Sequence, residues 1–240
     1  MEYITFFIEE MPKTGSFAMK HTVIHAGYPG DSSRAMLKRM ENDVIRHKPD
    51  TVVIECGAND AVNPAALTTV EEYTANLKQM VYRLEEIGSD ILFVTPPPVY
   101  SREMIVRYKF PQSPETELNP ILDRYAEAMR GVAAFLNRPL LDMSRILHTV
   151  GNVGPGAESL IRNEANAGVI DGAHLTVEGY RLLAVLVYQA LLDHHMAGHT
   201  IVCFGDSITH GYPLPGMGTL EGDNYPAVLN RLLNDGENHL

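Results

Sequence analysis

The sequence predicts an α/β protein, organised as a three-layer α/β/α sandwich around a five-stranded parallel sheet. Short runs rich in β-branched residues alternate with longer segments that carry apolar residues at every third or fourth position. Most of the short runs are apolar at each successive position, which is typical of parallel strands that helices cover on both faces. Strands and helices that alternate in this way indicate a doubly wound sheet.

Five short runs are predicted to form the strands, and longer amphipathic segments are predicted to form the helices between and after them. The predicted strands are Thr22–His25, Thr51–Glu55, Asp90–Val94, Pro139–Asp142 and Thr200–Phe204. The predicted helices are Met36–Ile45, Tyr73–Ile87, Ile121–Leu136, Val177–Leu192 and a last one near Tyr225–Leu233.

Two segments do not follow this alternation. Pro96–Leu118 contains several prolines and has no clean helical period, and a second segment, from about Leu147 to Ile170, is rich in glycine. Both are predicted to be long loops, which in compact α/β domains often form lids or the walls of binding sites. With Tyr212–Asn224, they are expected to shape a pocket.

No internal repeat or linker divides the 240 residues, so residues 21–240 are predicted to form a single domain. Residues 1–20 are interpreted as an N-terminal extension. The segment Tyr3–Ile8 within it could form an added edge strand, an oligomer contact or part of a loosely packed tail. Cys56 and Cys203 both lie in apolar runs, and we expect them to be buried free thiols.

The composition excludes several classes of partner. Lys and Arg number 19 against 30 Asp and Glu, and the net charge of -11 argues against a nucleic-acid partner. The longest apolar stretch, Leu182–Leu192, is much shorter than the roughly 20 residues that cross a membrane. The N-terminal apolar run lacks the basic start of a signal peptide. These features predict a cytoplasmic protein that acts on a small molecule.

Ligands of open α/β sheets bind beyond the carboxyl ends of the strands, so the residues that follow each strand are informative. Polar, glycine-containing turns follow three predicted strands, and a fourth precedes the last long helix of the sheet. These turns are A-G-Y-P-G-D-S at 26–32, C-G-A-N-D at 56–60, D-G-A-H-L at 171–175 and G-D-S-I-T at 205–209. All four are predicted to meet at one rim.

Three residues of these turns have the chemistry of a nucleophilic site. Ser207 would present its hydroxyl at the rim, and the spacing of Asp171 and His174 lets the carboxylate accept from one ring nitrogen while the other faces outward. Each signal is modest alone, because serine and aspartate are common in caps and turns and histidine is common at surfaces.

Two further residues could stabilise the oxyanion that forms when a serine attacks a carbonyl group. Gly30 would let its backbone N–H approach a substrate closely, and the Asn59 amide would add a side-chain donor beside the Ser207 N–H. Taken singly, Gly30 could be a left-handed turn residue and Asn59 an Asx-turn.

As a set, the four turns resemble the four sequence blocks of the SGNH hydrolases, also called GDSL esterases. The resemblance extends from about His21 to the end of the chain, and it implies a flavodoxin-like sheet. It also implies Ser207 as nucleophile, His174 and Asp171 as its base and orienting acid, and Ser207, Gly30 and Asn59 as oxyanion donors. Neither a metal nor an organic cofactor is implied.

The order of the blocks departs from that family, in which the serine block comes first. Here G-D-S-I-T at 205–209 comes last, so the sequence predicts a circular permutant. Ala197–His199 would join the former ends, within the usual length of an αβ loop. The new ends would lie between the helix near Tyr225–Leu233 and the strand at Thr22.

The function implied is that of a serine esterase for small acyl esters of the acetyl type, with acetylated carbohydrates as one class. The alternatives are a thioesterase or lysophospholipase, an acyltransferase with the same fold, and a non-catalytic carbohydrate-binding module. A homo-oligomer is a further possibility. Other motifs are given less weight: His194, His195 and His199 lack the Cys or acidic cluster of a metal site, and Asp31, Asp60 and Asp206 are interpreted as hydrogen-bond acceptors that hold turns.

Overall fold

The computed structural model describes residues 20–235, and the predicted extension at residues 1–20 lies almost entirely outside them. Five parallel strands form one sheet in the order β1-β5-β2-β3-β4. The predicted α/β fold and its five strands are confirmed. The strands are β1 Thr22–Gly27, β2 Thr51–Glu55, β3 Asp90–Val94, β4 Leu140–Leu141 and β5 Thr200–Gly205.

Helices cover both faces of the sheet. In chain order, the described part of the protein contains α1 Ser33–Asp43, a 3-10 turn Ile45–His47, α2 Ala58–Val62, α3 Val70–Glu85, α4 Ser101–Tyr108, α5 Asn119–Phe135, α6 Met143–Val150, α7 Glu164–Ala167, α8 Val177–Asp193, α9 Ser207–His210 and α10 Tyr225–Asp235. No helix among residues 20–235 combines the length and apolar character needed to cross a bilayer.

The prediction that Pro96–Leu118 is a loop is wrong in its middle, because α4 forms there. This helix has only eight residues and buries only Ser101, Met104 and Ile105, so its apolar period is too short to stand out in the sequence. It ends at Lys109, whose left-handed conformation (φ 52) closes the helix before Pro111. The second predicted loop likewise begins inside α6.

Strand β5 distributes alternate side chains between two apolar layers. From β5, Val202 and Phe204 join the layer beneath α1, α3 and α5, whereas Ile201 and Cys203 join the layer beneath α8 and α10. All four side chains are fully buried, which stabilises the fold by about 1.5–3 kcal/mol for each large side chain. Cys203 and Cys56 are buried free thiols, as predicted.

The two ends of the described chain lie side by side. The Asn234 side chain in α10 accepts a hydrogen bond from the His21 N–H at 2.9 Å and donates one to the His21 carbonyl at 3.2 Å. At the connection from α8 to β5, the Thr22 N–H donates to the His199 carbonyl at 2.6 Å. The start of β1 is therefore tied both to the last helix and to the α8–β5 connection.

The end of β1 lies so close to α9 that Gly27 has no room for a side chain. A Cβ at Gly27 would lie 2.6 Å from the Thr209 carbonyl carbon, and backbone atoms cannot move away cheaply. We expect Gly27→Ala to lower the free energy of unfolding by about 1–3 kcal/mol, measured by urea denaturation. As the control, Gly131→Ala lies in α5 with no atom near its Cβ, and should raise that free energy by about 0.5–1 kcal/mol. Equal effects of the two substitutions would contradict this account.

Candidate active site

The turn that carries Ser207 is held by a buried carboxylate. β5 ends at Gly205, and the Asp206 side chain caps α9 by accepting a hydrogen bond from the Ile208 N–H at 2.9 Å. A Cβ at Gly205 would lie 2.6 Å from the Glu55 carbonyl oxygen and would clash with Thr209, so only glycine fits this tight turn. Ser207 is the first residue of α9 and is partly exposed.

Asp171 and His174 form a hydrogen-bonded pair in the turn before α8. Asp171 Oδ1 accepts from His174 Nδ1 at 2.8 Å and from the N–H groups of Ala173 and His174, each at 3.1 Å. A carboxylate only accepts, so Nδ1 carries the proton and Nε2 of the neutral ring is left with a lone pair. This is the tautomer that a general base requires.

The charge on Asp171 persists although its side chain is wholly buried. Burial by itself would raise the pKa of Asp171, but the hydrogen bond from His174 and the surrounding positive charge hold that pKa below its ordinary value. The carboxylate is therefore ionised at neutral pH, and it can stabilise a positive charge on the His174 ring.

The Asn59 side chain has a fixed orientation near the end of β2. Its Nδ2 donates to Asp206 Oδ2 at 2.9 Å, and its Oδ1 accepts from Asn63 Nδ2 at 2.9 Å. One amide hydrogen remains for a ligand. Gly30 has a φ of 85, a value that favours glycine, and no atom of residues 20–235 would lie within 4 Å of a Cβ there. The space beside its Cα is therefore open.

One cavity of about 350 Å³ brings most of the predicted site residues together. Gly30, Asn59, His174 and Ser207 all line it, while Asp171 lies behind His174. The rest of its wall is largely apolar or aromatic, and consists of Pro29, Ala58, Asn63, Pro97, Val99, Met104, Arg107, Tyr108, Phe110, Ala173, Ile208 and Tyr212.

The segments that were expected to shape the cavity contribute unequally to its wall. Six lining residues come from Pro96–Leu118, namely Pro97, Val99, Met104, Arg107, Tyr108 and Phe110, and only Tyr212 comes from Tyr212–Asn224. Leu147–Ile170 supplies no lining residue of this cavity, because that segment packs beyond α4. The expectation that it forms part of the wall is therefore wrong.

The other aspartates of the matched turns accept hydrogen bonds. Asp60 accepts from the N–H and hydroxyl of Ser33 and from the Thr68 hydroxyl, and Asp31 forms an ion pair with Arg39 at 2.5 Å. Among residues 20–235, no three His, Cys, Asp or Glu side chains lie close enough to hold a metal ion together.

Sequence reasoning missed Glu55, which lies wholly buried beside Asp206 at the end of β2. Burial and the Asp206 charge raise the pKa of Glu55 well above its ordinary value, and burial raises the pKa of Asp206 to about 6. We assign a proton to the Glu55 carboxyl group, which can then donate a hydrogen bond to Asp206. A single charged residue at the end of an otherwise apolar strand was the signal that could have identified it.

This buried pair predicts a pH-dependent stability. Both pKa values are raised by folding, so the folded state binds more protons than the unfolded one and stability is lost as pH rises. For Asp206 the loss falls between its ordinary pKa of 3.8 and about 6, and for Glu55 it continues above that range.

Glu55→Gln keeps the shape and a donor for Asp206 but cannot ionise. We expect its free energy of unfolding, relative to wild type, to rise by about 1 kcal/mol or more between pH 5 and pH 8, measured by urea denaturation. Glu86→Gln, at an exposed helix end, serves as the control and should show no such trend. A constant difference between Glu55→Gln and wild type across this range would mean that Glu55 is already ionised at pH 5.

Comparison with known proteins finds a matching family, similar proteins and similar solved structures. The sequence model of the GDSL-like Lipase/Acylhydrolase family matches residues 13–182. An acetylxylan esterase of Geobacillus stearothermophilus is 26% identical over 135 residues, which cover 53% of this chain and 57% of that protein. An arylesterase of Vibrio mimicus is 30% identical over 83 residues, which cover 34% of this chain and 40% of that protein. Each match thus spans less than two thirds of the relative.

Solved structures share the fold. The lipase/acylhydrolase of Enterococcus faecalis superposes with a TM-score of 0.54 at 26% identity, over 69% of this chain and 73% of that chain. The acetyl xylan esterase AlAXEase superposes with the same TM-score of 0.54 at 22% identity, over 69% of this chain and 79% of that chain.

Proposed function

Because this chain belongs to the GDSL-like lipase/acylhydrolase family, we propose that it is a serine esterase that hydrolyses small acyl esters. The observation that carries the proposal is the cavity shared by Ser207, His174, Gly30 and Asn59, with the His174 ring oriented by Asp171 from behind. Nucleophile, base and oxyanion donors are the three components that acyl transfer through a serine requires.

In the proposed reaction, Ser207 Oγ attacks the ester carbonyl carbon while His174 Nε2 takes the hydroxyl proton. The carbonyl electron pair moves onto oxygen, and the tetrahedral intermediate collapses when His174 gives the proton to the departing alcohol. Water then attacks the acyl-enzyme in the same way and releases the acid. Asp171 stays ionised throughout and stabilises the imidazolium of both steps.

The proposed oxyanion site consists of the N–H groups of Gly30 and Ser207 and the free amide hydrogen of Asn59. Each such donor is worth about 2.7–4 kcal/mol in the transition state. The hydrogen bonds from Asn59 to Asp206 and from Asn63 to Asn59 support this role, since they orient the amide before a substrate arrives.

A small acyl group is favoured by the size and chemistry of the cavity. Its volume of about 350 Å³ lies near the lower end for ligand sites, and much of its wall is apolar. Acetylated carbohydrates are the first natural class to test, because two similar proteins are named acetylxylan esterases. The cytoplasmic location and a homo-oligomeric state stay predictions from the sequence.

Removal of the Ser207 hydroxyl should abolish most of the activity. Wild type should hydrolyse p-nitrophenyl acetate, and Ser207→Ala should be slower by about 10³-fold or more in kcat/KM with an unchanged thermal unfolding midpoint. Ser113→Ala, on an exposed loop, is the matched control and should retain full activity.

Four outcomes of the assay would revise the proposal. Equal activity of wild type and Ser207→Ala would remove Ser207 as the nucleophile. Faster turnover of long-chain or thioester substrates in a panel of acyl lengths would favour the thioesterase or lysophospholipase. Transfer of the acyl group to an added sugar would favour the acyltransferase, and inactivity on every ester, with sugar binding retained, would favour the binding module.

We further propose that the chain is a circular permutant of the family. The sheet order β1-β5-β2-β3-β4 becomes the flavodoxin-like order 2-1-3-4-5 if β5 is counted as the first strand. The family match ends at residue 182, before the G-D-S-I-T block at 205–209. The hydrogen bonds between Asn234 and His21 also bring the two ends of the described residues together, which supports a permuted fold.

A reordered chain tests the permutation. Joining Leu240 to Met1 and opening the chain between Ala197 and Gly198 would restore the family's block order without deleting a residue. We expect this variant to fold, to keep its thermal unfolding midpoint within about 5 °C and to retain hydrolysis within about threefold. Failure to fold, in contrast with a matched opening in the exposed loop at Ser113, would argue against the former ends lying at 197–199.

A further inference from the structure

Arg107 lies against the outer oxygen of the Asp171 carboxylate. Its Nη1 is 2.7 Å from Asp171 Oδ2, and Arg162 Nε is farther away, at 3.5 Å. Oδ2 is fully buried and accepts no hydrogen bond from residues 20–235, so the 2.7 Å approach of Arg107 is an ion-pair contact. Oδ1, by contrast, carries all three hydrogen bonds from Ala173 and His174.

The helix that carries Arg107 also holds the backbone of this turn. Glu103, one turn earlier on α4, accepts a hydrogen bond from the Asp171 N–H at 2.9 Å. The Tyr100 N–H donates to the Gly172 carbonyl at 2.7 Å, and a Cβ at Gly172 would clash with the α4 backbone. α4 therefore fixes both the main chain and the carboxylate of Asp171.

Arg107 is also part of the cavity wall, so its charge lies close to the reacting groups. Its guanidinium carbon is 5.4 Å from the Tyr108 ring centroid and 5.9 Å from that of Tyr212, and the Tyr212 ring is 4.8 Å from the His174 ring. Its side chain is 22% exposed, so water screens its charge only in part. The guanidinium thus lies beside the Asp171–His174 pair.

We infer that Arg107 is a positioning residue of the proposed esterase, which holds Asp171 in place and keeps the Asp171–His174 pair from taking up an extra proton. The inference rests on the proposed function. Its physical basis is that a fixed positive charge beside the pair opposes the arrival of a second one. Because Asp171 also interacts with Arg107, its charge stabilises a protonated His174 ring less strongly in the resting enzyme. The ring therefore remains available as a base.

The other charged and titratable groups around the pair have different positions. Arg162 approaches Oδ2 from the segment before α7, Glu103 faces the Asp171 backbone from α4, and Asp206 caps α9 in the turn of Ser207. Tyr108 and Tyr212 present rings near Arg107. Of these groups, Arg107 makes the closest contact with the Asp171 carboxylate oxygen that faces away from His174.

Loss of the Arg107 charge should change the pH dependence of the reaction. Arg107→Gln or Arg107→Met removes a positive charge, so the pair accepts a proton more readily and the acid limb of the kcat/KM profile should move to higher pH by about 0.5 unit or more. At the pH optimum, kcat should fall by about 10-fold or more while KM changes by less than about threefold. Arg107→Lys keeps the charge, so its acid limb should stay within about 0.2 unit of wild type.

The experiment measures kcat and KM for p-nitrophenyl acetate from pH 4 to pH 9 in these variants. Arg102→Gln is the control, because Arg102 is an exposed residue of the same helix, and it should match wild type. An unmoved acid limb in Arg107→Gln and Arg107→Met would overturn the inference. A rise in KM alone would also overturn it, since Arg107 would then be a substrate-binding residue.

A measurement without substrate separates this inference from the proposed function. The ring protons of His174, assigned by comparison with His174→Gln, can be followed by NMR across the same pH range. In Arg107→Gln the His174 titration should move to higher pH than in wild type, whereas in Arg107→Lys it should stay near that of wild type. Arg107→Met replaces Arg107→Gln if the latter does not fold. If wild type hydrolyses no ester, the proposed function fails, whereas an unshifted titration on loss of the charge refutes the role of Arg107.

Discussion

The buried carboxylate of Asp206 connects the parts of the site that come from different strands. One oxygen accepts from the Ile208 N–H and fixes the turn of Ser207, and the other accepts from Asn59 and orients its amide. Burying a carboxylate is costly unless its oxygens accept hydrogen bonds. The Ser207 turn and the turn that carries Asn59 are therefore both held against Asp206. The proton assigned to Glu55 relieves the repulsion that a second buried charge would cause.

A second buried carboxylate, Asp171, organises the turn that carries His174. Its two oxygens are used differently: Oδ1 holds the His174 ring and two backbone groups, whereas Oδ2 faces Arg107 and Arg162. The two aspartates differ in charge environment, since the hydrogen bond from His174 and nearby positive charge lower the pKa of Asp171, whereas burial raises that of Asp206. Asp171 thus orients the His174 ring, whereas Asp206 holds the Ser207 turn and the Asn59 amide in place.

Much of the fold was predictable because its signals are local. Five apolar strands and the longer amphipathic helices follow from the periodicity of neighbouring residues, and the glycine-containing turns after β1, β2 and β5 follow from their position at strand ends. The helix α4 was missed because its eight residues carry only a short apolar face and the segments on both sides of it contain prolines. Residues such as Glu55 and Arg107 were missed because their partners lie far away along the chain.

The sequence by itself determined the α/β class, the strands and the family, since block motifs and apolar periods are readable within short windows. It also singled out Ser207, His174, Asp171, Gly30 and Asn59 as candidates. Only the tertiary structure decided that four of these line one cavity, that α4 forms its wall and that Arg107 contacts Asp171. These features depend on how separate elements pack against one another. The burial of a group and the electrostatic potential around it are set by residues that lie far apart along the chain.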